Sequence, residues 1–236
     1  ENIKETMFNF LSSKEWLNNR VAIVTGASSG IGKATAYGLS QKGCHVVLSA
    51  RNHEKLLEIE KDLSHLRNGV ISIPADISDP ISVEKLISKT LEHFARIDFL
   101  VCNAGEYLRC PVANSTISQI QRIFEVNFYG TLNWIFGVLP HMLQRGKGQI
   151  VIVSSMDAKK GIPPDAAYVA SKAALSGFAD VMRQELKENG ITISTIFPGR
   201  VDTPMISELS VPWISAKIKP EKAARAIIKA IERKNA

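Results

Sequence analysis

At 236 residues and 45% hydrophobic content, the chain can bury one sizeable core and does not require two. Charged residues make up 22%, a globular rather than a disordered composition. The formal charge of +6 raises the question of nucleic acid, but Lys and Arg are scattered, with no like-charge block and no basic stripe interleaved with aromatics.

A nucleic-acid partner is therefore set aside, since a local positive field for a phosphorylated small molecule serves equally well. Cys44, Cys102 and Cys110 form no CxxC pair and no zinc-like spacing with the five histidines. No metal centre is expected, and a reducing, cytoplasmic compartment is. Apolar stretches all fall short of the ~18 residues of a membrane span. The chain opens on Glu1, so membrane association through a longer natural terminus stays open.

In chain order, residues 1–19 read as an amphipathic extension, with Ile3, Met7, Phe10 and Leu11 on one helical face. Such a face covers apolar surface of its own domain; docking on a membrane or partner is the alternative. Residues 20–236 read as one dinucleotide-binding catalytic domain. Strands are predicted at 21–24, 45–49, 70–74, 99–102, 149–153 and 192–196, and helices at about 31–42, 53–65, 80–95, 116–145, 166–188 and 219–233. The strands are rich in Val and Ile and lack polar alternation, as strands covered on both faces do. The fold class is α/β, a single Rossmann-like, doubly wound parallel sheet with helices on both faces. Between the last strand and helix, Met205, Ile206, Leu209, Val211, Trp213 and Ile214 read as a flap.

Two segments carry chemistry. After the first strand runs Thr25-Gly26-Ala27-Ser28-Ser29-Gly30-Ile31-Gly32. A tight strand-to-helix turn of this kind needs glycine for positive φ angles and for close approach of backbone to phosphate. Pyrophosphate oxygens would meet the positive end of the following helix. At the end of the second strand an acidic residue would bind a ribose 2′-OH, but the sequence there is Ser49-Ala50-Arg51-Asn52. Arg51 offers a planar fork suited to a 2′-phosphate, so NADP(H) is expected over NAD(H).

The second segment holds Tyr168 and Lys172, four residues apart on one helical face, with Ser154-Ser155 upstream. A nearby ammonium and an oxidised nicotinamide would both lower the phenol pKa from near 10, letting Tyr168 exchange a proton with a carbonyl oxygen as hydride moves. Ser155 would hydrogen-bond the same oxygen.

With these motifs in this order, residues 20–233 resemble the short-chain dehydrogenase/reductase family. The likeness rests on Thr25-Gly26-(x)3-Gly30-Ile31-Gly32, Asp76, Asn103-Ala104-Gly105, Asn127, Ser155, Tyr168 with Lys172, and Pro198-Gly199 with Thr203. It implies Tyr168 as acid/base and Ser155, thirteen residues before it, as the catalytic serine in preference to Ser154. Lys172 would also bind the nicotinamide ribose, and Asn127 would hold a water relaying protons from Lys172. Ser28, Ser29 and Asn52 would join Arg51 around the cofactor, Asp76 and Ile77 would touch the adenine, and Asn103, Ala104 and Gly105 would line the cofactor. Pro198, Gly199, Val201 and Thr203 would lie beside the nicotinamide, and Ile162 beside the substrate entrance. The family also implies a homodimer through the helices at 116–145 and 166–188.

Three departures qualify the likeness. Cys102 replaces a common asparagine, Ser29 stands where some NADP-preferring members carry a basic residue, and the chain ends on a helix. The last argues against a 3-oxoacyl-carrier-protein reductase and towards members resembling 3-ketosphinganine or hydroxysteroid reductases. Tyr107, Leu108, 161–164 and the 205–213 flap make the expected entrance rather apolar, favouring a hydrophobic, lipid-like carbonyl substrate. The alternatives are an NADP-binding sensor or scaffold with vestigial activity and, within the family, a 3-oxoacyl-thioester reductase. A sugar-nucleotide epimerase is disfavoured, because about 30 residues after Thr203 leave little room for a substrate domain.

Overall fold

A computed structural model describes residues 16–207 and 217–233. Six parallel strands form one sheet in the order β3-β2-β1-β4-β5-β6. They are β1 (Val21–Thr25), β2 (His45–Ser49), β3 (Val70–Ser72), β4 (Phe99–Cys102), β5 (Gly148–Val153) and β6 (Ile191–Ile196). Seven α-helices accompany them among the described residues: α1 (Gly30–Gln41), α2 (His53–Leu63), α3 (Pro80–Phe94), α4 (Ile117–Phe124), α5 (Gly130–Gln144), α6 (Ala166–Glu185) and α7 (Pro220–Arg233).

Successive strand residues point to opposite faces, and here both faces are apolar. In β1, Val21 and Ile23 enter a core with α3, α5 and α6, while Ala22 and Val24 enter a second core with α1, α2 and α7. In β5, Ile150 and Ile152 divide from Val151 and Val153 in the same way. Each fully buried aliphatic side chain contributes about 1.5–3 kcal/mol, so the sheet is held from both sides. Of the predicted extension, residues 1–15 lie outside the described residues; Leu17 is buried in the second core and Trp16 stacks against Phe99. Leu209, Val211, Trp213 and Ile214 of the predicted flap also lie outside them.

Two elements differ from the sequence expectation. The strand predicted at 70–74 ends at Ser72, close to Pro74, which has no N–H to give a ladder. The helix predicted at 116–145 is interrupted by a π-turn, Glu125–Tyr129, where the Gly130 N–H reaches back five residues to Glu125 O. Apolar spacing reports the face of a helix but not its hydrogen-bond ladder, so the interruption is silent in the pattern.

Strand order reverses between β1 and β4, and ligands of open α/β sheets bind outside the strand ends at such a reversal.

Candidate active site

Thr25 closes β1 and organises the turn that follows. Its Oγ1 accepts the N–H groups of Asn103 and Ala104, each at 3.0 Å, and donates to Val101 O at 3.2 Å. Asn103 Nδ2 donates to Thr25 O at 3.0 Å. The turn is thereby pressed against the end of β4, which is why glycines occur in it. Gly26 has φ +65°, and a Cβ there would lie 2.8 Å from Asn103 Nδ2. A Cβ on Gly32 would lie within 2.2 Å of Gly26 O. Ser29, the N-cap of α1, makes no side-chain cap bond, so the first-turn N–H groups of α1 lack the usual side-chain acceptor. A glycine cradle at an uncapped helix start fits a pyrophosphate.

A cleft of about 480 Å³ runs from this turn along the strand ends. Gly26, Ser28, Ser29, Gly30 and Ile31 line it at the turn, and Arg51 and Asn52 at the end of β2. Asp76, Ile77, Asn103, Ala104, Gly105, Tyr168, Lys172 and Thr203 complete the sequence-predicted set within it. Arg51 is exposed at the rim. Asn52 spends its side-chain oxygen capping α2, accepting from Lys55 N at 3.0 Å. Asp76 Oδ1 accepts from Ser78 N at 2.9 Å, and Ile77 O accepts from Asn133 Nδ2 at 3.1 Å, which shapes this end of the cleft. Gly32 is buried behind the turn and does not line the cleft.

A smaller cleft of about 100 Å³ meets the first at Ile31, Tyr168, Thr203 and Met205. Ser155, Ile162, Pro198, Gly199 and Val201 line only this second cleft. Tyr168 therefore stands where the two spaces join. Ser154 and Ser155 both line the second cleft, but Ser154 is tied to α6 through Ser176 Oγ at 2.8 Å and Lys172 O at 3.2 Å, whereas Ser155 has a side-chain hydrogen bond with Tyr168.

Burial pushes the Tyr168 phenol up to about 12; a hydrogen bond with Ser155 works against this, while Asp157, Tyr107 and Asp165 add to it. Lys172 is also buried, its Nζ donating to Val153 O at 3.0 Å, and burial brings it down to about 8. The sequence reading expected a lysine ammonium beside Tyr168 to lower the phenol. In the protein alone, desolvation dominates both groups.

Asn127 sits in the π-turn, fully buried, and lines neither cleft. Its Oδ1 accepts from Glu106 N at 2.7 Å, and its Nδ2 donates to Glu106 O at 2.9 Å and Ser171 Oγ at 3.1 Å. It thus ties the loop after β4 to α6 behind Lys172.

The entrance differs from the apolar expectation. Arg109, Asp157, Asp165 and Arg200 line the second cleft together with Tyr107, Ile162, Met205 and Ile206. Sequence reasoning missed these four charged residues. The one available signal was Asp165 standing three residues before Tyr168, just ahead of α6.

Fold and site together define a dinucleotide-binding oxidoreductase of the doubly wound class. A family model described as short chain dehydrogenase matches residues 20–211. The chain is 33% identical over 220 residues to a fatty acyl-CoA reductase of Acinetobacter baylyi, covering 92% of this chain and 75% of that one. It is 35% identical over 243 residues to a dehydrogenase/reductase SDR family protein 7-like protein of Anopheles gambiae, covering 97% and 77%. Among solved structures, an actinorhodin polyketide ketoreductase variant with NADPH superposes with a TM-score of 0.83 at 30% identity, covering 89% and 90%. An alcohol dehydrogenase of Thermococcus sibiricus complexed with 5-hydroxy-NADP gives 0.83 at 28%, covering 90% of each chain. The chain belongs to the short-chain dehydrogenase/reductase family.

Proposed function

We propose that this protein is an NADP(H)-dependent oxidoreductase acting between the nicotinamide and a ketone or aldehyde, or the corresponding alcohol in reverse. The observation that carries the reading is the convergence of Tyr168, Ser155 and Lys172 where the cofactor-sized cleft meets the second one. Bound NADPH would supply the hydride. Tyr168 gives a proton to the carbonyl oxygen, and Ser155 donates a hydrogen bond to the same atom as charge develops. Lys172 orients the nicotinamide ribose and returns the proton to Tyr168, with Asn127 holding the relay behind it.

Preference for the 2′-phosphate is supported by Ala50, which removes the carboxylate, and by Arg51 at the cleft rim. The NADPH and 5-hydroxy-NADP complexes among related structures agree with it. A hydrophobic, lipid-like carbonyl substrate is supported by Ile162, Val201, Met205 and Ile206 in the second cleft, and by the similarity to a fatty acyl-CoA reductase. The exposed apolar side chains Ile117, Tyr129, Phe136 and Val181 on α4, the π-turn, α5 and α6 support a homodimer. No helix among the described residues is long and apolar enough to cross a membrane. A cytoplasmic setting is proposed on the unpaired Cys44, Cys102 and Cys110.

Titration with NADPH and NADH, followed by nicotinamide fluorescence, tests the reading. Tight NADPH and weak NADH binding is the expected result. Preference for NADH would overturn the Arg51 argument, and failure to bind either would overturn the enzyme.

A further inference from the structure

On the substrate side of Tyr168 stands a set of contacts that neither cofactor binding nor Ser155 accounts for. Tyr107, in the loop after β4, donates its phenol O–H to Asp165 Oδ2 at 2.7 Å. Its ring meets the ring of Tyr168 edge to face, with centroids 5.0 Å apart and an interplanar angle of 82°. Asp165, the N-cap of α6, stands three residues before Tyr168.

Asp165 occupies the N-cap position, where an aspartate ordinarily accepts a first-turn N–H, yet its side chain makes no such bond. The carboxylate, only 4% exposed, is turned to Tyr107 instead. Arg109 Nη1 lies 3.9 Å from its other oxygen. Cys110 N donates to Pro164 O at 3.1 Å, fastening the same two segments by their backbones. A buried carboxylate is unfavourable unless paired.

We propose that Tyr107 and Asp165 are positioning residues for Tyr168: their hydrogen bond fixes the Tyr107 ring, that ring holds Tyr168 towards Ser155, and the Asp165 charge disfavours a second anion beside it. This rests on Tyr168 being the proton donor of the proposed reaction. The clamp presets the site for carbonyl reduction, because a phenol kept protonated can give its proton as soon as hydride arrives. The charged and titratable groups around Tyr168 are Asp157 on the turn after β5, Tyr107 and Arg109 on the loop after β4, Arg200 after β6, Asp165 at the N-cap of α6 and Lys172 on α6. Asp165 is the one whose replacement by asparagine keeps an acceptor for Tyr107 and takes no cap bond from α6.

The test is the pH profile of kcat/KM for NADPH-dependent reduction of a long-chain aldehyde such as dodecanal. In Asp165→Asn the upper alkaline limb, where Tyr168 loses its proton above the pH at which Lys172 does, moves to lower pH by about one unit, because a negative charge is gone and Arg109 is left facing the site. Tyr107→Phe keeps the ring but frees it, lowering kcat by about tenfold with the NADPH Kd unchanged. A folded Asp165→Asn with an unmoved limb, or a folded Tyr107→Phe with wild-type kcat, overturns the clamp. Tyr168→Phe separates the two failures. Turnover surviving there removes the donor role itself, whereas an inactive Tyr168→Phe beside an unmoved Asp165→Asn limb removes the clamp alone.

Discussion

Asn103 is tied to Thr25 twice, by its backbone N–H to Thr25 Oγ1 and by its Nδ2 to Thr25 O, each at 3.0 Å. One hydroxyl thus joins the end of β1 to the loop that lines the cofactor cleft. Thr25→Val keeps the shape but leaves the N–H groups of Asn103 and Ala104 without their acceptor. A loss on the order of 3 kcal/mol in urea unfolding is expected, with NADPH binding weakened about tenfold. Thr25→Ser restores the oxygen and should fall within about 1 kcal/mol of wild type. A Thr25→Val that matches wild type beside a destabilised Thr25→Ser would show that the methyl, not the hydroxyl, matters.

At the far end of the same cleft, Arg51→Ala removes the cation proposed to meet a 2′-phosphate. NADPH affinity should fall by about ten- to a hundredfold, the range of charge-assisted hydrogen bonds, while NADH affinity stays unchanged. Ala50→Asp should act in the opposite sense, repelling NADPH and favouring NADH. Parallel losses for both cofactors would mean that Arg51 supports the turn rather than reads the ribose.

Burial of Lys172 makes folding depend on pH. The unfolded chain keeps this lysine protonated up to its ordinary value of 10.5, whereas the folded protein releases the proton near about 8. Between those values the unfolded state binds more protons, so Lys172 adds stability as pH rises, with a slope of up to about 1.4 kcal/mol per pH unit. Below that window both states are protonated and the burial cost is constant. Urea unfolding at pH of about 7.5, 9 and 10 should show the wild type gaining on Lys172→Met across the window. Parallel curves would contradict a buried lysine of lowered basicity.

Phe136 and Val181 present apolar surface on α5 and α6. If that surface closes a homodimer, a charge placed there is desolvated without a partner, at several kcal/mol per interface. Phe136→Glu with Val181→Glu should give a monomer in analytical ultracentrifugation, with the fold retained by circular dichroism. A wild type that sediments as a monomer would refute the dimer.

The sheet is legible in the sequence because its strands are apolar on both faces and separated by turn residues; β2 and β4 match their predicted spans residue for residue. The cofactor cleft is legible for a related reason. Gly26, Ser155 and Tyr168 stand at strand ends and helix starts, where backbone geometry ties residue type to position. The π-turn around Asn127 is not legible, because an added backbone step leaves apolar spacing almost unchanged. Nor is the Tyr107–Asp165 bond, which joins positions 58 apart through a meeting of two loops. The charged lining of the second cleft escapes for the same reason, since Arg109, Asp157, Asp165 and Arg200 come from three separate connections.

Central to the account is Tyr168 as the group that gives its proton while hydride is transferred. The most direct measurement is turnover of Tyr168→Phe with NADPH and a long-chain aldehyde, alongside its NADPH Kd. Loss of kcat by about a thousandfold with NADPH binding within about threefold of wild type is the predicted result. Turnover retained at a comparable rate, with the cofactor bound, would contradict it.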